Sequence, residues 1–358
     1  MTPTSISKAI PQLQHIATNH INSMLQNVDL SSVVGENLLH EFTLDVAFKI
    51  ILGFELPKED ERKVKENLDT LIDEMLSLQS LVHPVVTLTK GWKARQFLVE
   101  LIEQKITDLK ENGPDGSTLS AMVFAVDDES KQSLSHEQIV DNVLFLLLAG
   151  SETSSSTLTN CLLFLGLHPH VWKKVIEEQH QLFKVNGNLL TKDQLDKQCP
   201  YLEAIIQEVM RIRPISGGQY RRTKATIVVD SMQIPKGWPV VYNTRETHRL
   251  DPTTRLDDGS HMDIMKGFNP ERWLDDSTTP KDGDYMPFGS GPRYCLGATL
   301  AMVEMKIFIA IMARKVDYDL VGVEDPAQIE WKRTDLIAVP KDGVIMSVKP
   351  SNHLIDTS

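Results

Sequence analysis

Cysteine is scarce: Cys161, Cys199 and Cys295 are the only three in 358 residues. An odd trio builds no disulfide framework, and without a Cys-x-x-Cys pair there is no zinc spacing, so an intracellular, reducing compartment is expected. Basic clusters are missing as well. Lysine and arginine total 37 against 49 acidic residues, for a net charge of -12, and they are scattered along the chain. That argues against a phosphate-binding surface, and no nucleic-acid partner is expected. Long apolar runs are also absent. The longest, Val143 to Gly150, falls far below the ~20 residues that span a bilayer, and the N-terminal segment has no signal-peptide core. No anchor is read in this chain, and membrane association stays open. Internal repeats and low-complexity tracts do not occur.

What remains is a composition that is 41% hydrophobic and 24% charged, enough to bury a large core. Apolar positions recurring every three or four residues predict helices over Ile10 to Gln26, Leu38 to Gly53, Lys58 to Ser80 and Trp92 to Asn112. Gly113-Pro114-Asp115-Gly116 breaks the pattern, and a short helix is expected over Leu119 to Val126. A long helix follows to about Leu167, opened by Ser135 with Gln138 three residues on as a capping box, and stopped by Pro169. Pro169 to Phe183 and Pro200 to Arg213 predict two more, each with proline where its missing N–H costs nothing. Strand signals are confined to Tyr220 to Val229, Pro239 to Tyr242 and Ile337 to Val348. The expectation is one domain over residues 1–358, mainly α with minor β.

The most informative segment is Phe288-Gly289-Ser290-Gly291-Pro292-Arg293-Tyr294-Cys295-Leu296-Gly297, which puts one thiol in a glycine-rich turn before a helix. A sulfur serving as a permanent metal ligand must be ionised, shielded and approached closely by backbone N–H groups. Gly289, Gly291 and Gly297 meet the need for small residues, Phe288 is placed to cap the sulfur, and Arg293 to face anionic groups. A second segment, Ala149-Gly150-Ser151-Glu152-Thr153-Ser154, is a polar cluster directly after an apolar run in the long helix. A buried hydroxyl and carboxylate in adjacent positions hold a water and pass protons, and Gly150 lets a flat ligand approach the backbone.

The first segment resembles the haem-ligand loop of the cytochromes P450, Phe-x-x-Gly-x-Arg-x-Cys-x-Gly, with every fixed position matched. The second resembles the family's Ala/Gly-Gly-x-Asp/Glu-Thr-Thr/Ser. The resemblance implies haem b as cofactor, with Cys295 as the axial iron ligand and Phe288, Gly289, Arg293, Gly297, Ala149 and Gly150 around the cofactor. It implies Glu152 and Thr153 as the proton-delivery pair, which the isomerases and dehydratases of this fold usually lack. Glu208 and Arg211, three apart on one helix face, resemble the family's Glu-x-x-Arg, and Phe268-Asn269-Pro270-Glu271-Arg272-Trp273 its Phe-x-Pro-Glu-Arg-Phe/Trp. Together they imply a buried structural triad of Glu208, Arg211 and Arg272. In Ile215-Ser216-Gly217-Gly218-Gln219-Tyr220-Arg221-Arg222, which looks like the segment at the haem edge, Arg221 is the propionate candidate, with Arg222 on the alternate strand face toward solvent.

Ile234-Pro235-Lys236-Gly237-Trp238, and Thr247-His248 before Asp251-Pro252, look most like the branch of retinoic-acid hydroxylases, cyanobacterial relatives and plant steroid oxidases. His248 is read as a structural hydrogen-bonding residue, since the thiolate fills the axial position. The implied activity is insertion of one oxygen atom from O2 into an apolar, lipid-like substrate of retinoid, terpenoid or sterol type, lined by Leu144, Leu147, Leu148, Ile215, Ser216 and Leu336. Electrons would come from NAD(P)H through a reductase or ferredoxin-type partner. Relative to the family the chain is N-terminally short: the usual N-terminal strands and first helices are missing, with the Trp-x-x-x-Arg that holds a propionate. Trp92 and Arg95 have the wrong spacing for it. The alternative reading is therefore a non-catalytic chain with weak or no haem binding.

Overall fold

The computed structural model describes residues 3–26, 32–54, 58–76, 89–281, 283–323, 325–332 and 339–351. They group into two compact units, one of Met1–Ile16 and His40–Glu152, the other of Ala17–Leu39 and Thr153–Ser358. Three helices run through both: α1 (Pro3–Gln26), α2 (Gly35–Val46) and α6 (His136–Leu167). Among the described residues no helix is long and apolar enough to cross a membrane.

The first unit is helical. After α2 the chain widens into a π-helical turn over Ala47–Ile51, then forms α3 (Lys58–Leu76), α4 (Lys90–Asn112) and α5 (Thr118–Phe124). The starts of α4 and α5 have a local cause: Thr89 Oγ1 accepts from the Trp92 N–H at 3.2 Å, and Ser117 Oγ from that of Ser120 at 3.0 Å. At α6 the expected capping box is formed, with Ser135 Oγ accepting from the Gln138 N–H at 3.2 Å and Gln138 Oε1 from that of Ser135 at 2.8 Å.

The second unit is built on α9 (Pro200–Ile212) and α11 (Ala298–Lys315), whose side chains are buried almost throughout. A helix apolar all round has no solvent face, and α11 is covered by α7 (Pro169–Asn186), α8 (Lys192–Lys197) and α9. Its buried cations are engaged: Lys306 Nζ donates to Leu195 O at 3.0 Å and pairs with Glu203 at 2.5 Å. Arg314 donates to Asn188 O at 3.1 Å and Gln179 Oε1 at 3.2 Å. Glu304, also on α11, is pushed up to about 8 by burial, against the opposing bond to Ser154.

The strands depart from expectation in several places. Tyr220 to Val229 is two strands, β2 (Gly218–Arg222) and β3 (Ile227–Val229): pairing ends at Thr223, whose N–H donates to the Trp238 carbonyl at 3.0 Å and whose carbonyl accepts from the Gly237 N–H at 2.9 Å. β3 then makes a hairpin with β4 (Met232–Ile234), turning on Asp230 and Ser231 at φ 47° and 67°, the paired left-handed geometry that two-residue hairpins favour. β2 pairs antiparallel with β5 (Pro239–Asn243), which leads into α10 (Thr244–Leu250). The third sheet has the order β1 (Val33–Val34), β7 (Ile345–Pro350), β6 (Val316–Leu320), all antiparallel. β6 was not expected, since Asp317 and Asp319 lower its β propensity; burial of Val316 and Tyr318 on one face outweighs them. The segment expected to open the last strand, Ile337 and Ala338, lies outside the described residues, as does Leu336.

Candidate functional site

Cys295 carries a free, exposed thiol three residues before α11. Its N–H donates to Phe288 O at 3.0 Å, closing the loop onto itself. Gly289 and Gly291 stand at φ 74° and 62°, where a side chain is strained. At Gly289 space is also short, because a Cβ would lie 2.2 Å from Gln219 Nε2. Gly297 is different: its φ is -88°, and a Cβ there would meet Cys295 Sγ at an ordinary 3.9 Å. Phe288 is half-buried with its ring 6.3 Å from that of Tyr294, while Arg293 is exposed.

Beneath the loop, the structure brings Glu208, Arg211 and Arg272 together. Glu208 is fully buried; its Oε2 accepts from Arg211 Nε at 2.9 Å and Trp273 Nε1 at 2.9 Å, and its Oε1 from Arg211 Nη2, Arg272 Nε and the Asn269 N–H, each at 3.0 Å. Arg211, 1% exposed, also donates to His261 O at 2.7 Å and Gly267 O at 3.2 Å. Every polar atom of the carboxylate is used, which is the condition under which a buried ion pair is tolerated. Trp273 and the Asn269 N–H were not read from sequence.

His248 joins this cluster to the approach to Cys295. Its Nδ1 donates to Arg211 O at 3.0 Å, and its Nε2 accepts from the Met286 N–H at 3.0 Å, two residues before Phe288. That pattern needs the neutral ring, and burial pushes it down to about 4 against the help of the Arg211 carbonyl. Because the unfolded ring protonates near 6.5, the unfolded state binds the extra proton between those values. Stability is thus complete above pH 6.5 and falls as the pH drops toward 4, by at most about 3 kcal/mol. Urea midpoints at pH 7 and pH 5 check this: His248→Gln flattens the difference, whereas an unchanged pH dependence would count against it.

Arg221 lies on β2, exposed, donating to Tyr220 O at 2.9 Å and bonded to Gln219 Oε1. Gln219 thereby links Arg221 to Gly289 of the cysteine loop, a bridge that no sequence signal announced. Arg222 is exposed as well, Ile215 is half-buried, and Ser216 is exposed with its hydroxyl donating to Gly218 O at 3.2 Å.

On α6 the polar segment divides by face. Thr153 is exposed rather than buried, whereas Ser151, Ser154, Ser155, Ser156 and Thr157 are buried, the hydroxyls of Ser151 and Thr157 donating to carbonyls four residues back. This corrects the expectation of a buried threonine hydroxyl: Thr153 shares its face of α6 with Ala149 and Gly150, four and three residues back, which are only half-buried. Leu144, Leu148, Ala149 and Gly150 are half-buried and Leu147 is buried. Glu152 is half-buried, with Oε1 3.1 Å from His40 Nδ1; His40 Nε2 lies 2.8 Å from Asp69 Oδ1. Burial alone would lower the His40 ring, but the two carboxylates outweigh it and hold it up at about 10.

The sequence model of the cytochrome P450 family matches residues 1–347. The chain belongs to the cytochrome P450 family. A putative cytochrome P450 120 of Synechocystis sp. is 29% identical over 326 residues, covering 89% of this chain and 68% of the relative. Human cytochrome P450 26B1 is 29% identical over 96% of this chain and 66% of its own length, and the beta-amyrin 11-oxidase of Glycyrrhiza uralensis 28% over 89% and 64%. The chain thus spans about two thirds of the curated relatives it matches. Among solved structures, a retinoic-acid-bound cyanobacterial P450 superposes with a TM-score of 0.82 at 29% identity, covering 98% of this chain and 76% of that one. The mainly α architecture with minor sheet is the P450 fold.

The cofactor of P450s is haem b, and the donor set suits it. Among the described residues no three His, Cys, Asp or Glu side chains converge on a metal position. A single exposed thiol therefore fits an iron whose other ligands come from its own macrocycle. The exposed guanidinium groups of Arg293 and Arg221 suit its carboxylates.

Proposed function

We propose that this P450 is a haem-thiolate monooxygenase that inserts one atom of O2 into an apolar, lipid-like molecule. The observation that carries the reading is Cys295: a free thiol presented directly before α11 by a loop with two glycines at positive φ, with the family's full loop pattern around it. Haem ligated by a thiolate supplies O–O bond cleavage, driven by electrons passed from NAD(P)H through a reductase or ferredoxin-type partner. The chain's own residues do the rest. Cys295 gives its sulfur as an anion, with Phe288, Gly289 and Gly297 around it, and Arg293 and Arg221 meet propionates. Glu152 and Thr153 hold and move protons, and Ala149 and Gly150 keep the helix backbone open to a flat ligand. Leu144, Leu148, Ile215 and Ser216 line the substrate, with Leu336 as a further candidate.

Names among the relatives, a retinoic-acid complex and a beta-amyrin oxidase, support a retinoid, terpenoid or sterol type of substrate. Three free cysteines suit a reducing compartment. The deciding experiment is the reduced carbon-monoxide difference spectrum of the purified chain. The red-shifted Soret band of a thiolate-ligated haem is expected. A band at the shorter wavelength of a lost thiolate, or no haem at all, would support the non-catalytic alternative.

A further inference from the structure

His40, on α2, is far in sequence from both carboxylates it touches, and neither contact is needed to hold a helix together. Asp69 reaches one ring nitrogen from α3 at 2.8 Å and Glu152 the other from α6 at 3.1 Å. A neutral imidazole has one N–H, so a ring with a carboxylate at each nitrogen carries both protons, its Nε2–H bonded to Asp69 and its Nδ1 side paired by charge with Glu152. The side chains also form a gradient of exposure, 49% at Asp69, 25% at His40 and 18% at Glu152. The three lie in order from solvent to the acid of the proton-delivery pair.

We propose that His40, held in place by Asp69, is the solvent-side relay that supplies protons to Glu152. This rests on the monooxygenase reading, which gives Glu152 a proton to deliver. In each transfer the Nδ1–H passes to Glu152 and leaves a neutral ring whose Nε2–H stays on Asp69. The bare Nδ1 then takes a proton from water, so the ring ends as it began and one proton has moved inward. The 3.1 Å contact to Glu152 lacks the alignment of a strong hydrogen bond, so the carboxylate is held by charge and is free to turn once protonated. Raised to about 10, the ring stays protonated through the neutral range. The lysines Lys49 and Lys65 are engaged elsewhere: both pair with Asp45, and Lys49 also with Glu61, while the His40 ring meets Asp69 and Glu152. His40 touches neither substrate nor cofactor in this scheme and acts as a positioning residue.

The test uses the haem-loaded enzyme with its electron donor, comparing wild type, His40→Gln and Asp69→Asn. In His40→Gln, kcat should fall about tenfold with KM unchanged, the low end of what proton-transfer groups contribute. More of the consumed NAD(P)H should appear as hydrogen peroxide, and the solvent deuterium isotope effect on kcat should rise. Asp69→Asn, at an exposed position that leaves the fold intact, should move the same readouts in the same direction by a smaller factor. Independent of turnover, the His40→Gln and Glu152→Gln changes in urea midpoint should be non-additive, as expected for groups in contact. A normal carbon-monoxide spectrum with unchanged peroxide yield and isotope effect in His40→Gln overturns the relay alone. Loss of that spectrum in the wild type overturns the monooxygenase reading and the relay with it.

Discussion

Glu208→Ala is expected to give a chain that retains little or no haem and accumulates mostly unfolded. The substitution removes the acceptor for two guanidinium groups, an indole N–H and a backbone N–H, all at 2.9 or 3.0 Å. Removing one partner of a buried ion pair costs about 3–5 kcal/mol, because the charge left behind has no water to turn to. Each stranded neutral donor adds about 1–3 kcal/mol. A domain holds in reserve only about 5–15 kcal/mol, so this one change consumes most of it. Glu208→Gln keeps the shape and one acceptor oxygen but turns an NH2 group toward donors, and should fall between wild type and alanine. The ratio of haem to protein absorbance and the urea midpoint measure both. Normal haem occupancy in Glu208→Ala would show that the cluster does not hold the cysteine loop in place.

The effect should spread through His248. Its ring takes the Arg211 carbonyl on one side and the Met286 N–H on the other, and lies 5.2 Å from the Tyr285 ring in a stacked arrangement. Tyr285 in turn donates to Gln207 O at 3.1 Å and meets Trp273 at 4.6 Å. Loss of the Glu208 carboxylate therefore loosens α9, the Trp273 turn and the strand of chain that enters the loop at Phe288 together. Arg272→Ala should do less harm, since Arg272 is 12% exposed and water reaches the site it leaves.

The long helices of both units were legible because their apolar period and caps are local, whereas the short α8 and α10 were not; Ser135 with Gln138 announced the start of α6 and produced it. The cysteine loop was legible for another reason. Close packing of backbone around one sulfur leaves little freedom in residue type or spacing, so Phe288 to Gly297 carries its chemistry in a single run. What escaped were contacts whose partners are remote. Nothing near Gln219 shows that its amide rests on Gly289, and nothing near His40 shows that Asp69 and Glu152 flank it. Trp273 escaped because its direction toward Glu208 is set by the 3-10 turn over Pro270–Leu274, a conformation with no strong signature. β6 escaped because propensity and pairing disagree there, and pairing with β7 decides.

Cys295→Ser should abolish the thiolate spectrum and oxygen insertion while leaving the chain folded. The side chain is exposed, and exposed substitutions usually change stability by no more than about 0.5 kcal/mol, so far-ultraviolet circular dichroism should not move. The chemistry changes completely. A hydroxyl is a harder donor that does not ionise at neutral pH, so the ligand that favours O–O cleavage is withdrawn although the loop geometry stays. Outer partners of a metal ligand are worth about 10–100-fold each; removing the ligand itself should cost more than that range. Product formation and the carbon-monoxide difference spectrum, measured on the same preparation, separate the two expectations. A folded Cys295→Ser protein that keeps the red-shifted band would mean that another side chain ligates the iron. Since Cys161 and Cys199 are both buried, with burial raising both thiols, neither is a ready substitute, and the loss should be complete.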